Sequence, residues 1–215
     1  MTTAEAREEL EVLAEFQRAW HEPRYQRFEL PATDLNQILG ERYWTSRPLT
    51  LTRTMLWDIE ARKARAPDRY IPGLVEQHTA CVWAQRTTLA PAEFFLRASR
   101  QRLWRTPSEH ATILERVHLD PSSHTATFLG VRDLPDSNGA SLVADTRQPL
   151  FHVQHWGSGP EHRPLSRWRI VHLTDTPDEA LAQRFASMHD GWLPEFVEIF
   201  IQDDLGIDLS RRQDS

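Results

Sequence analysis

Between Thr176 and Gly206 the chain carries one broad apolar stripe, and that stripe dictates what the rest of the molecule must provide. Leu181, Phe185, Met188, Trp192, Phe196, Val197, Ile199 and Phe200 recur at three- and four-residue steps, the spacing of neighbours on one side of an α-helix. Thr176-Pro177-Asp178-Glu179 marks the start, with a capping hydroxyl, a proline where no helical N–H is needed and a glutamate able to reach back to the cap. Gly206 supplies a stop. Gly191 and Pro194 fall in the middle. Proline lacks the amide donor and crowds the preceding turn, so the spacing predicts a kinked helix or two helices in tandem. A stripe this wide needs a large apolar partner.

The segments before it supply one. Gln77 to Thr88, Glu93 to Trp104, Ala111 to Leu119, His124 to Val131, Ser141 to Trp156 and Ser166 to Thr174 are rich in β-branched and aromatic residues and read as strands. Turn chemistry separates them at Ala90-Pro91, Asp120-Pro121-Ser122-Ser123, Asp136-Ser137-Asn138-Gly139 and Gly157-Ser158-Gly159-Pro160. Connections this short favour antiparallel neighbours. Pro149 inside the fifth segment marks an edge or a bulge. Leu49 to Met55 alternates, with Leu49, Leu51, Arg53 and Met55 on one side, and reads as a first strand; a helix starting near Thr52 is the competing reading. Trp57 to Ala66 is helical, Pro67 breaks it, and a second short turn follows.

The 215 residues suit one domain with an added terminal element. Residues 1–46 form an N-terminal helical extension, opened by an amphipathic helix over residues 3 to 20 that either lies on the outside of the fold or makes a homodimer arm. Residues 47–215 form the main domain. A net charge of −6 lacks the basic stripe of a nucleic-acid binder. No run approaches the ~18 apolar residues of a membrane span. Met1 to Leu10 is acidic and helical rather than a secretory signal, and a lone Cys81 cannot pair internally, so the composition fits a reducing cytoplasm. Lys63 is the only lysine; arginine fills every other cationic position, a usage that points to a GC-rich bacterial genome.

A strand, two small helices, six antiparallel strands and one long C-terminal helix: this order resembles the helix-grip architecture of the START-domain superfamily. That group includes bacterial polyketide cyclases and aromatases, plant pathogenesis-related proteins and lipid-transfer domains. The resemblance covers about residues 47 to 206, with Trp57-Asp58 and Tyr70-Ile71-Pro72 at positions often tryptophan and proline in the group. It implies an α+β fold, a seven-stranded curved antiparallel sheet wrapped round a long kinked C-terminal helix. It also implies a deep cavity for a hydrophobic or aromatic small molecule. No compact catalytic motif carries over.

In such a sheet, alternate residues face the cavity, so polar residues in phase with apolar ones are the candidates. Glu115 shares a face with Ile113, Val117 and Leu119, which would make it a desolvated general acid or base, unless that face is outward or an arginine such as Arg102 pairs with it. Leu150, His152, Gln154 and Trp156 are in phase, as are Trp168, Ile170, His172 and Thr174. On paired strands His152 and His172 would meet beside two tryptophans and shuttle protons, or else be hydrogen-bonded structural histidines. Arg53 would anchor a carboxylate or enolate oxygen, or sit in a surface ion pair. Trp156, Trp168, Gln154, Met188, Trp192 and Phe196 complete the substrate-binding set. No HExxH, CxxC, glycine-rich loop or GxSxG elbow occurs, so the expectation is no metal and no cofactor. The activity this suggests is a cyclase or dehydratase of natural-product biosynthesis working by acid–base catalysis; the alternative is a noncatalytic carrier or sensor.

Overall fold

The computed structural model describes residues 3–87, 92–188 and 191–212. Helix α1 (Thr3–His21) is followed by the short strands β1 (Gln26–Glu29) and β2 (Thr33–Asp34). The Asp34 carboxylate accepts from Gln37 N (3.1 Å) and so starts α2 (Leu35–Arg42), which leads into β3 (Tyr43–Thr45). Helices α3 (Arg53–Arg65) and α4 (Pro67–Tyr70) come next. Then follow β4 (Cys81–Thr87), β5 (Glu93–Arg102), β6 (His110–Asp120), β7 (Thr125–Val131), β8 (Asp133–Pro135), β9 (Ser141–Val143), β10 (Phe151–Ser158) and β11 (Leu165–His172). The chain closes with α5 (Glu179–Ala186), α6 (Glu195–Ile199), a π-helical turn at Phe200–Asp204 and β12 (Leu209–Arg211).

The main sheet is antiparallel and eight-stranded, in the order β1-β11-β10-β7-β6-β5-β4, with β2 also on the outer edge of β11. Its two faces are covered differently. Val12, Phe16 and Ala19 of α1 pack with Phe94, Leu96, Leu114, Leu129 and Val171 on one face. On the other, Ala61 and Ala64 of α3 meet Phe95, Val117 and Phe128. Beside them α2, α3, α4 and α6 share a core of Leu35, Leu56, Ile59, Tyr70, Phe196 and Phe200. A sheet with a C-terminal helical segment packed on its inner face is thus the architecture of the chain, a helix-grip arrangement of the α+β class.

Several elements differ from their sequence reading. Leu49 to Met55 is not a strand. The Thr52 hydroxyl accepts from Met55 N (3.0 Å) and caps α3, so the competing helix start is the one adopted. The extended residues before it find their partner in a side chain: the Asn36 amide accepts from Leu51 N (2.8 Å) and donates to Leu51 O (2.9 Å), as a neighbouring strand would. The edge beside β11 is filled instead by β1 and β2, from the part of the chain assigned to the N-terminal extension. Ser141 to Trp156 divides where Pro149 stands: β9 pairs only with β8 in a separate hairpin, and β10 starts at Phe151. The turn expected at Ala90-Pro91 lies outside the described residues.

The C-terminal stripe forms two helical segments in tandem. Asp178, not Thr176, caps the first, accepting from Leu181 N (3.0 Å). Gly191 takes φ +81°, a left-handed conformation that costs glycine little, and Pro194 stands immediately before α6, where its missing N–H breaks no helical bond. Near the end of the second segment Asp204 accepts from Tyr70 Oη (2.5 Å) and pairs with Arg69, while Arg211 pairs with Glu198.

Phe16 joins α1 to the sheet, is fully buried and stacks on Trp20 with ring centroids 6.3 Å apart. We expect Phe16→Ala to lower the unfolding free energy by ~3–5 kcal/mol, the cost of emptying a buried phenylalanine site. Urea denaturation followed by tryptophan fluorescence measures it; a loss below ~1 kcal/mol would mean α1 contributes nothing to the core.

Candidate functional site

Between the inner face of the sheet and the helices lies a cavity of about 600 Å³, within the range of pockets that enclose a small organic molecule. Phe128, Val153, Trp168 and Ile170 line it from the sheet, and Phe185, Trp192 and Phe196 from the C-terminal segments. Set into this wall are ionisable groups. Lys63, Arg97, Glu115 and His155 line the cavity, and Glu60 stands behind them. All five are buried.

Glu60 and Lys63 lie one helical turn apart on the buried side of α3, and they form an ion pair. His155 reaches them from β10. Its Nδ1 is 2.8 Å from Lys63 Nζ and 3.1 Å from Glu60 Oε2, so it can accept from the ammonium in one tautomer or donate to the carboxylate in the other. Nε2 on the opposite edge of the ring is buried and has no hydrogen-bond partner among the described residues. The imidazole stacks on Trp168 (3.9 Å between centroids), and Trp168 stacks on Phe196 (6.3 Å). Lys63 Nζ lies 4.0 Å from the Phe196 centroid and 5.2 Å from that of Trp168, within cation–π range of both. The second pair is cross-strand: Arg97 on β5 stands opposite Glu115 on β6 and donates twice to Glu115 Oε2 (2.8 and 2.5 Å). Arg97 also donates to the Ala64 carbonyl (2.7 Å), which fastens this pair to α3 beside Lys63.

The electrostatics follow from burial and pairing. Burial alone would raise the Glu60 carboxyl, but Lys63 and His155 outweigh it and bring its pKa to about 2. Burial lowers His155 to about 4, Lys63 adding to the effect and Glu60 opposing it, so at neutral pH the ring is uncharged. Burial also pulls the Lys63 ammonium below its ordinary value, against the attraction of Glu60.

The sequence-predicted site residues divide between the two faces of the sheet. Glu115, Trp168, Met188, Trp192 and Phe196 line the cavity. Glu115 is paired with an arginine, though the partner is Arg97 rather than Arg102. His152, Gln154 and Trp156 do not line it, and the reason is register. His152 pairs with Val171 and Phe151 with His172; paired residues share a face, so even positions on β10 and even positions on β11 point oppositely. His152 turns toward α1, with Nε2 3.5 Å from Glu15, and is not beside His172. Gln154 donates to Thr127 Oγ1 (3.1 Å), and Trp156 carries the Arg169 guanidinium 5.1 Å above its ring; both border a groove on the opposite face. His172 is on the inner face but enclosed at the end of the sheet, 4.9 Å from the Phe151 ring and 3.3 Å from Gln26 Oε1. Arg53 is the first residue of α3, half-exposed, with Nε 3.8 Å from Glu161 Oε2: the surface ion pair.

Glu60, Lys63, Arg97 and His155 were not among the candidates from sequence. Their signal was present but faint: Leu56, Ile59, Glu60, Lys63 and Ala64 form one helical stripe with two charges inside it, and the chain's sole lysine is one of them.

The buried cluster makes stability depend on pH. Between pH 6.5 and about 4 the unfolded chain protonates its histidine while the folded chain resists, so His155 costs stability as pH falls. Below 4.5 Glu60 acts in the same direction: its contribution is complete above that value and disappears as pH falls toward about 2. We expect stability to fall on acidification from pH 6.5, and His155→Phe to flatten the upper part of that slope, as read by urea midpoints at half-unit pH intervals. An unchanged slope in the variant would remove His155 from the account.

The sequence matches no protein-family profile and no curated protein. Similar solved structures include the Zhui aromatase/cyclase of Streptomyces sp. R1128, at 10% identity over 85% of this chain and 92% of that one, with a TM-score of 0.43. Ara h 8.0201 is similar at 10% identity over 81% and 95%, with a TM-score of 0.47. The major latex-like protein 151 of Panax ginseng is similar at 8% identity over 74% and 89%, with a TM-score of 0.43. At these values the likeness is one of overall architecture and does not reach the side chains of the site.

Proposed function

We propose that the chain binds a bulky, mostly apolar small molecule bearing a carbonyl oxygen, and moves protons on it without a cofactor, as a cyclase or dehydratase does. The observation that carries this reading is the pairing of charge with cavity: two ion pairs and a neutral histidine are set into a wall of aromatic and aliphatic side chains. Such a wall holds rings by stacking and burial. The polar groups then fix where the oxygen goes.

In this reading His155 Nε2 is the proton-moving group. Its unpartnered edge meets the ligand, while Nδ1 exchanges hydrogen-bond roles with Lys63 and Glu60, so that one tautomer delivers a proton and the other accepts one. Lys63 and Arg97 supply positive charge for a developing enolate oxygen. Glu115 accepts both Arg97 bonds on Oε2, which leaves Oε1 to take a proton from carbon. A noncatalytic carrier would use the same cavity and ask nothing of these groups.

Deuterium exchange separates the two. 2-Tetralone, a bicyclic ketone, should quench tryptophan fluorescence saturably and exchange its α-hydrogens in D2O faster in the presence of the protein than in buffer. His155→Phe should keep binding and lose ~100-fold or more of the exchange rate, the usual worth of a positioned acid or base. Binding without exchange in the wild type would make the protein a carrier.

A further inference from the structure

We propose that Lys63 is a covalent site, its amine condensing with the carbonyl carbon of a ligand in the cavity to form a protonated imine. The inference rests on the reading that the cavity takes a carbonyl-bearing apolar molecule, and names how that molecule is held. Three features of the molecule converge on it.

Arginine occupies every other cationic position of the chain, including the buried pair with Glu115. Arginine is also the better residue for a buried ion pair, because its planar fork gives up less freedom for each bond formed. At this position alone the chain keeps a primary amine, and the chemistry an amine has and a guanidinium lacks is nucleophilic attack after loss of a proton. Geometry supplies the rest. Lys63 lines the cavity, Glu60 is its ion-pair partner, and His155 Nδ1 is 2.8 Å from Nζ, so two proton acceptors touch the nitrogen. The surroundings suit the product as well as the start. An iminium carries the same single positive charge as the ammonium, so the Glu60 carboxylate and the Phe196 and Trp168 rings that hold the one hold the other.

The step balances without any further reagent. The ammonium passes one proton to His155 or Glu60, and the freed lone pair attacks the carbonyl carbon, sending the C=O π electrons to oxygen. A second proton moves from nitrogen to that oxygen to give a carbinolamine. The proton held by His155 or Glu60 then goes to the hydroxyl, the C–O bond breaks, and water leaves as the C=N bond forms. Of the three protons on the original nitrogen, one stays on the iminium and two depart with the oxygen. Burial favours the neutral amine and so favours the first of these transfers.

The test uses the full chain, 2-naphthaldehyde as the probe and sodium cyanoborohydride to trap the imine, with peptide mass spectrometry to locate the adduct. Binding is followed separately with 2-naphthalenemethanol, which has the same rings and no carbonyl, by quenching of tryptophan fluorescence. The expected result is an adduct on Lys63 formed at least tenfold faster than on the α-amino group of the chain, and slowed when 2-naphthalenemethanol competes. Lys63→Arg should keep the charge and lose the adduct; should that variant not fold, the adduct map of the wild type decides alone. If the alcohol binds but Lys63 stays unmodified, or is modified no faster than the α-amino group, the covalent proposal fails while the cavity reading stands. If neither probe binds and no adduct forms, both fall.

Discussion

The structure depends on one buried, electrically balanced contact between α3 and the sheet. Glu60 and Lys63 are opposite charges, Arg97 and Glu115 are opposite charges, and the imidazole that joins the first pair is neutral. A lone charge removed from water at this depth costs several kcal/mol, whereas paired and hydrogen-bonded charges recover much of that cost. The balance also fixes position. Lys63 is held from β10 through His155, and Ala64, the next residue, receives Arg97 from β5. Two bonds to separate strands from adjacent residues leave α3 little freedom to slide or rotate. The aromatic layer of Trp168 and Phe196 then builds on the cluster and carries the contact across to α6.

That arrangement explains why a fold with so large an interior space keeps a defined shape. A cavity lined by apolar side chains alone would gain from collapse, because every unfilled surface forfeits dispersion contacts. Here the charged groups on its wall are already paired, Lys63 with Glu60 and Arg97 with Glu115. Gly130 adds a steric limit on the sheet itself: a Cβ at this position would lie 2.5 Å from the Phe151 carbonyl oxygen, so the approach of β7 to the start of β10 requires glycine. The aromatic cluster of Trp104, Phe151 and Phe185, with centroids 4.8 to 6.2 Å apart, closes the same end of the sheet against α5.

How much of this was legible in the sequence depended on whether a signal was local. The C-terminal stripe with Gly191 and Pro194 left a kinked helix or two tandem segments open, and the structure has the second; the alternation on β6 grouped Glu115 with Ile113 and Val117 without deciding which way that face points. The alternation on β11 likewise grouped Trp168 with Ile170 and His172 and left the face undecided. What the sequence does not carry is the relative phase of two strands. The sequence reading selects His152, and the register with β11 shows that His155, on the other face of β10, is the histidine that sees the cavity. Leu49 to Met55 shows the opposite failure: a local alternation was real, but a threonine cap and the Asn36 side chain gave its backbone a different partner. β1, a strand of only four residues, offers too little pattern to be recognised and is defined by the partner it joins.

Trp192, Leu193, Glu198 and Arg211 also line the cavity, and a second set of contacts holds them. The Tyr43 hydroxyl accepts from Leu193 N (3.0 Å) and donates to Glu198, and Arg211 donates to the same carboxylate oxygen (2.9 Å). Burial first, and then the bond to Glu198, raise the Tyr43 phenol above its ordinary value, so it remains a donor throughout the physiological range. Arg211 at 4.8 Å and Arg42 at 5.6 Å bracket the Trp192 ring, and Tyr43 meets it edge-on at 5.7 Å. The segment bearing Trp192 and Leu193 is therefore held by contacts from α2, β3 and β12. The two clusters meet on α6, where Phe196 faces Lys63 and Glu198 pairs with Arg211 two residues later. The same short helix therefore carries one contact to each cluster, Phe196 to Lys63 and Glu198 to Arg211.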